Sequence, residues 1–347
     1  MGTKESGAVL KTVANLVKNI PVRNKDVVSR RFGLKNGKKE TLESIGKSYG
    51  ITRERVRQIE EFATNQLRKF ADENQEVEKY VVVAKNMLGA GGGVMKERDL
   101  FKAFSGSEAE SAVNSSLVFI LSLSKDLIRF GESDNFHAFW AQSSTALKDF
   151  KDLASACTAF LEKNKRAIPE EGFVELAESN GVNGLSEKFK TYLSISKTVS
   201  KNIFNEVGLT SWPEVKPKGV KDKAYLVLKK GSAPRHFGEI AKLINTAGFN
   251  GKKANTQTVH NELIKDERFI LVGRGTYALS EWGYKSGTVR DVLIDLMKSS
   301  SKPLAKTALL TKVMNARMVK ENTVLLNLQD SKTFLKNEDG TYSLRKA

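Results

Sequence analysis

A chain of 347 residues is longer than one ordinary core requires, so length alone points to two or three domains, or more if the units are small. Hydrophobic residues at 40% and charged residues at 28% form a globular mix that excludes wholesale disorder. No run of about 18 uncharged apolar residues occurs, so no membrane span is expected. Lys11 and Lys18 interrupt the one apolar stretch that resembles a secretory leader.

A single cysteine, Cys157, excludes an internal disulfide and a thiolate-rich zinc site. Three histidines, His137, His236 and His260, leave little for a histidine cage, so neither metal nor cofactor is expected. A cytoplasmic protein is the default. Lys and Arg number 57 against 40 Asp and Glu, a net charge of +17, which favours a polyanionic partner because each phosphate neutralised releases condensed counterions. Residues 1–71 hold 16 Lys and Arg against 7 Asp and Glu, so over half of the excess sits in a fifth of the chain.

The first element to read is Thr41 through Glu60. Leu42, Ile45 and Tyr49 are spaced for one short amphipathic helix, Gly50 supplies a turn, Thr52 can cap a second helix, and Glu54 lies in that helix's positive first turn. Two short helices about a glycine turn make a helix-turn-helix. With about 100° per residue from Arg53, the residues Val56, Ile59, Ala63, Leu67 and Phe70 fall within about 240–320° and predict the core stripe. Arg53, Arg57, Glu61, Glu54 and Gln58 span about 0–140° and form a polar arc. In a recognition helix the N-terminal residues meet base edges, where Arg suits guanine, Gln suits adenine and Glu accepts from cytosine. A surface helix with a charged face that meets only water has the same wheel.

Val27-Val28-Ser29-Arg30-Arg31-Phe32-Gly33-Leu34 followed by Thr41 through Glu60 resembles region 4 of sigma-70 family RNA polymerase sigma factors. The resemblance covers about residues 15–71. It implies that the helix matching Thr52–Lys69 reads a promoter −35 element in the major groove of double-stranded DNA. It places base contacts on Arg53, Glu54, Arg57 and Gln58, and backbone contacts on Arg30, Thr41, Thr52 and Arg55. It also implies docking on the β flap of core RNA polymerase. Strings resembling sigma regions 2 and 3 are not found, so independent promoter opening is not expected.

Next comes a helical patch at Val77 to Leu88, then Gly89-Ala90-Gly91-Gly92-Gly93, which lacks the Gly-Lys-Ser/Thr ending of a phosphate loop and reads as a linker. Leu127–Phe130 and Phe136–Trp140 flank Gly131–Asn135 as a plausible β wing. Residues 146–217 suggest helices around Leu147–Leu161 and Phe173–Glu178 and a degenerate strand near Ile203-Phe204. Further breaks are expected at Trp212–Gly219 and at Gly283–Gly287. Lys216, Lys218, Lys221, Lys223, Lys229 and Lys230 form a basic run into the next unit, from which Lys221 and Lys223, with Arg235, are candidate backbone contacts.

The end of the chain repeats itself. Thr258, Val259, Leu263, Phe269, Gly275, Thr276, Tyr277 and Leu279 recur 65 residues later as Thr323, Val324, Leu328, Phe334, Gly340, Thr341, Tyr342 and Leu344. In the first copy Phe237, Ile240, Ala241 and Ile244 mark one helix and Val259 and Leu263 a second. Phe269–Val272 and Thr276–Leu279 then flank Gly273-Arg274-Gly275 as a hairpin. The second copy turns at Asp339-Gly340. Ala233 through Ile240, with Gly275–Leu279 and Trp282-Gly283, is similar to HARE-type helix-turn-helix domains, which occur in the RNA polymerase δ subunit, in restriction endonucleases and in chromatin regulators. That similarity covers about 220–285, and less closely 287–347, and implies a winged helix contacting DNA or transcription machinery.

Catalysis finds no support: no Cys-His, Ser-His-Asp or His-Glu-x-x-His arrangement has usable spacing. Cys157 is expected to be packed, His236 and His260 to support the fold or touch phosphate, and Tyr277 and Trp282 to pack behind a wing. The expected architecture is mainly α with small β-hairpin wings, in tandem helix-turn-helix and winged-helix domains at 1–73, 74–145, 146–217, 218–286 and 287–347. The expected function is that of a sequence-specific, sigma-like regulator of bacterial transcription, cytoplasmic and nucleoid-associated, not an enzyme. The competing readings are a DNA-recognition subunit of a restriction, defence or mobile-element system and a protein-binding winged-helix scaffold. Neither target sequence nor oligomeric state is readable.

Overall fold

In the computed structural model, the described residues are 3–249, 251, 253–284, 287–300 and 302–345, with the side chains of 3–6 set aside. Contacts divide the chain into two bodies, residues 1–201 with 205–210, and residues 202–204 with 211–347. The structure is mainly helical with small antiparallel sheets, consistent with tandem helix-turn-helix and winged-helix units.

The first body opens with α1 (Thr3–Leu16), a 3-10 turn (Val17–Asn19), α2 (Val22–Phe32), α3 (Leu42–Tyr49) and α4 (Arg53–Asp72). Two repeats of one pattern follow. The first is α5 (Gln75–Ala90), β1 (Val94–Lys96), α6 (Glu97–Ser105), α7 (Ala112–Leu123), β2 (Ile128–Phe130) and β3 (Phe139–Ala141). The second is α8 (Ser144–Asn164), β4 (Ile168–Pro169), α9 (Glu170–Ser179), α10 (Leu185–Ile195), β5 (Val199–Lys201) and β6 (Glu206–Leu209).

The second body holds two more repeats. One is α11 (Val220–Gly231), β7 (Arg235–His236), α12 (Phe237–Thr246), α13 (Thr256–Lys265), β8 (Phe269–Gly273) and β9 (Thr276–Leu279), closed by a 3-10 turn at Ser280–Trp282. The other is α14 (Val289–Lys298), β10 (Leu304–Ala305), α15 (Lys306–Ala316), α16 (Glu321–Leu328), β11 (Phe334–Lys336) and β12 (Thr341–Leu344).

Every repeat therefore runs helix, strand, helix, helix, strand, strand, and each sheet places its first strand beside its third, with the second on the far side. Phe269 pairs with Leu279 across β8–β9, and Phe334 with Leu344 across β11–β12, so the 65-residue sequence repeat is a repeat of register. The left-handed backbone needed at the turn residue falls on Gly275 (φ 67°) in one copy and Gly340 (φ 80°) in the other.

Three expectations are corrected. The strand placed at Ile203-Phe204 is instead the turn of a complete hairpin: Ser200 pairs with Gly208 on either side of it, and Asn205 takes φ 58°. The glycine run at 89–93 is not a linker. Its first two residues complete α5, and Gly93 N–H closes onto Leu88 C=O at 2.9 Å. A Cβ at Gly91 would lie 2.7 Å from the carbonyl oxygen of Val94, and one at Gly92 2.6 Å from Cγ of Lys188, so these glycines permit close packing. Finally, Phe70 does not join the core stripe of its helix; it is 43% exposed, while Val56, Ile59, Ala63, Leu67 and Ala71 are buried. Of the break expected at Gly283–Gly287, residues 285 and 286 lie outside the described residues.

One apolar core joins α1, α2 and α4 to α5, α6 and α7. α7 has no charged residue and is buried on nearly every side, as an all-round apolar helix must be, with Phe119 edge-on to Phe32 at 4.9 Å. Burying a side chain of that size is worth about 1.5–3 kcal/mol, so the residues before and after position 73 share their stabilisation. Glu97 is buried within this body and satisfied there: Arg129 donates from Nε at 2.5 Å and from a terminal nitrogen at 2.8 Å, and Trp140 Nε1 donates at 3.1 Å. Cys157 is packed, and burial pushes its thiol pKa up to about 12, away from nucleophilic use.

Candidate nucleic-acid interface

The helix-turn-helix is built by α3 and α4. Thr41 caps α3 by accepting from Ser44 N–H at 3.1 Å, and Thr52 caps α4 by accepting from Arg55 N–H at 3.2 Å. Between them Gly50 holds φ 63°, and Ile51 N–H returns to Gly46 C=O at 3.0 Å. The turn is so tight that a Cβ on Gly46 would sit 2.7 Å from Ile51 C=O. Val27, Ile45, Val56 and Ile59 form the small core that fixes the angle between the helices.

Behind the turn lies a polar clamp that pattern reading does not reveal. Arg30 makes a two-pronged bond to Glu40 at 2.9 and 2.7 Å and donates to Ser48 Oγ at 2.7 Å. Arg31 joins Glu60 of α4 at 2.9 Å and donates to Glu40 C=O at 2.6 Å. Tyr49 donates to Asp26 at 2.9 Å, with the Arg23 guanidinium 5.2 Å over its ring. The guanidinium of Arg30 holds the Glu40 carboxyl below its usual range, and the bond to Glu40 raises Arg30 in turn. These arginines tie α2 to the loop and to α4, a bracing role that residue spacing does not show.

The polar arc of α4 is turned outward. Arg53, Glu54, Arg55, Arg57 and Gln58 are all exposed on the first two turns of α4. Arg57 donates to Glu54 at 2.8 Å and to Glu61 at 3.0 Å, and Arg55 donates to Gln58 Oε1 at 3.0 Å. The hydrogen bond from Arg57 is the main cause of a depressed Glu54 pKa, and Glu54 is the main cause of a raised one at Arg57. Arg53 enters no hydrogen bond or ion pair among the described residues. Arg57 with Glu54 and Glu61, and Arg55 with Gln58, thus hold one another in register, exposed enough for each bond to be exchanged for a ligand's.

The other candidates lie in the second body. Lys221 and Lys223 stand on α11, where Lys221 faces Asp266 at 3.9 Å and Lys223 lies 5.5 Å over the Phe249 ring. Arg235 is exposed on β7. His236 caps α12, its Nδ1 accepting from Gly238 N–H at 3.2 Å, and Tyr277 is buried in that repeat's core with Trp282 against it. Among the described residues, no group of three or more His, Cys, Asp or Glu is placed to hold a metal ion, and no helix is long and apolar enough to cross a membrane.

The capped turn and the outward arc coincide with a family match. Residues 17–69 match Sigma-70, region 4. The chain is 39% identical over 57 residues to the RNA polymerase principal sigma factor HrdD of Streptomyces coelicolor, covering 16% of this chain and 17% of that protein. It is 39% identical over 67 residues to the RNA polymerase sigma factor SigA of Microcystis aeruginosa, 19% of this chain and 16% of the relative. It is 56% identical over 46 residues to the RNA polymerase sigma factor RpoS of Coxiella burnetii, 13% of each. The chain thus spans less than a fifth of the length of these relatives.

Proposed function

We propose that this protein is a DNA-binding regulator of transcription that uses its region 4 segment to read a promoter element of the −35 type and to contact core RNA polymerase at the β flap. The observation that carries this reading is the exposed Arg53–Gln58 arc, on the first turns of the capped second helix of a helix-turn-helix, in a segment matching sigma-70 region 4. In this reading Arg53 and Arg57 present forks to guanine, Gln58 presents an amide to adenine, and Glu54 accepts from cytosine. Arg55, Thr41 and Thr52 border the arc and meet phosphates, while Arg30 contributes by bracing the helices. Lys221, Lys223 and Arg235 of the second body are further candidates for phosphate contacts, Lys221 and Arg235 being exposed.

The protein acts, in this reading, as a binding module without catalytic chemistry, in the cytoplasm beside the nucleoid. The repeats of the second body are proposed to be HARE-type winged helices, a reading supported by their strand, helix, helix, hairpin order. Selection of bound sequences from a random duplex pool tests the central claim. Arg57→Ala is expected to relax preference at one or two base pairs, a loss of about 1–3 kcal/mol. Identical selected sites for both proteins would remove the arc from the reading. Stable capture of core polymerase by the full chain supports the regulator; DNA selectivity without such capture favours a recognition subunit for an enzyme on another chain.

A further inference from the structure

A cleft of about 590 Å³ opens in the first body, where the loop between α2 and α3 meets the first repeat. Pockets for small organic molecules run to about 300–1,000 Å³, so this one is larger than a single ion needs. Its lining is fixed by the chain itself. Ala138 C=O accepts from Glu97 N–H at 2.8 Å, and Ala138 N–H donates to Glu132 at 2.7 Å, while Glu97 is held by Arg129 and Trp140. Lys96 pairs with Phe139 across β1–β3, which sets its place beside Glu97. On the other side the α2–α3 loop is pressed against the start of α7: a Cβ on Gly37 would lie 2.8 Å from Ser111 Cα. Lys39, two residues on, reaches the cleft from that loop.

Charge in the cleft is unequal once the internal pairs are set aside. Glu97 is bound by Arg129. Glu132 is bound by Lys197 at 2.5 Å and Glu108 by Lys102 at 3.2 Å, lysines that stand outside the lining. Among the described residues Lys39, Lys96 and Arg98 enter no ion pair or side-chain hydrogen bond, and of the lining carboxylates Glu110 alone shares that condition. Three uncommitted cations against one uncommitted carboxylate leave a surplus of two positive charges, which matches a dianion. Phe101 and the half-buried ring of His137 also line the cleft and give an organic body a surface to lie against. A duplex suits the place less, because the exposed Glu108, Glu110 and Glu132 stand among the cations and repel a continuous polyanion.

We propose that this cleft binds a small phosphate monoester whose organic body is of about nucleotide size, with Lys39, Lys96 and Arg98 meeting the phosphate. A ligand held this way bridges the α2–α3 loop and the first repeat. The site shares no residue with the polar arc of α4, and its binding is measured without DNA, so it stands or falls separately from promoter reading.

The test is isothermal titration calorimetry on the full chain at about pH 8, where a phosphate monoester is a dianion because its second pKa is about 6. The probes are adenosine 5′-monophosphate, inorganic phosphate and adenosine. One saturable site per chain is expected for the monophosphate, weaker binding for inorganic phosphate, and none for adenosine. Lys96→Ala with Arg98→Ala is expected to weaken monophosphate binding by about tenfold or more, as loss of charge-assisted hydrogen bonds does. Lys39→Ala is expected to weaken it less, and Glu110→Gln to tighten it, a gain that a merely structural role for these residues would not produce. An unchanged melting curve without ligand shows that each variant is folded. No saturable binding of the monophosphate overturns the inference, as does unaltered binding in the folded Lys96/Arg98 variant. Equal affinity for adenosine and its monophosphate removes the phosphate from recognition, and equal affinity for inorganic phosphate and the monophosphate removes the organic body. If the monophosphate fails to bind while the Lys96/Arg98 pair flattens the salt dependence of duplex affinity, the cleft belongs to a DNA track and the inference fails.

Discussion

Arginines of the same helical segment do different work in this molecule. Arg30 is half-buried and spends its fork on Glu40 and Ser48, whereas Arg57 is exposed and held only by neighbours on its own helix. Solvent screens such exposed helix pairs, so Arg57→Ala is expected to leave the thermal midpoint almost unchanged while altering the selected DNA site. Arg30→Ala leaves Glu40 without its two-pronged partner and is expected to cost about 1 kcal/mol after allowance for solvent, with Arg30→Lys recovering charge but not the fork. Paired denaturation and binding-site selection on the two variants check both halves. A stability loss at Arg57 matching that at Arg30, or a changed site at Arg30 with stability intact, would exchange their roles.

At the scale of elements, turns set the geometry of α4. Gly46 lies inside α3, where alanine is ordinarily the better helix former by up to about 1 kcal/mol. Here the added Cβ meets Ile51 C=O at 2.7 Å, a backbone atom that cannot swing aside, so Gly46→Ala is expected to destabilise by about 1–3 kcal/mol and to weaken DNA binding by shifting α4. Gly91→Ala, against Val94 C=O at 2.7 Å, is expected to cost a similar amount without touching the arc. Chemical denaturation of each variant measures this; a neutral Gly91→Ala would restore the reading of that run as a loose joint. The contrast shows what the sequence carries. Gly50 and Thr52 announced the helix-turn-helix because a cap and a left-handed turn depend on single residues of narrow chemistry. The repeat at 258–279 and 323–344 announced two wings because their register is written in both copies. The strand β4 and the helix α10 were not legible, since a two-residue strand has no period and α10 owes its place to the aromatic packing of Phe189 on Phe173. The clamp of Arg30 and Arg31 escaped for a related reason: spacing gives a residue's face, and the partner across 10 or 29 residues is a property of the fold.

Across the whole molecule, four repeats sit two to a body, and within each body the repeats are joined by backbone bonds. In the second body Met318 N–H reaches Val272 C=O at 3.0 Å. In the first, His137 N–H bonds Ile195 C=O at 2.9 Å and Lys197 N–H bonds Asn135 C=O at 2.8 Å, a seam crossed by the ion pair of Lys197 with Glu132 at 2.5 Å. The bond from Lys197, with support from Ala138 N–H and His137, holds the Glu132 carboxyl down at about 2. A carboxyl whose folded pKa lies below its unfolded value of about 4.3 contributes stability that is complete above that value and is lost as the pH falls toward 2. Acid is therefore expected to loosen the seam between the two repeats, by an amount that solvent screening keeps modest at so exposed a group. Trp140, buried in the first body, reports on it once Trp212 and Trp282 are replaced by phenylalanine. In that background the urea midpoint is expected to drop between about pH 5 and about pH 2.5, and to drop less in Glu132→Gln and in Lys197→Met. An equal drop in all three proteins would assign the acid sensitivity to other carboxylates and leave this ion pair without a part in joining the repeats.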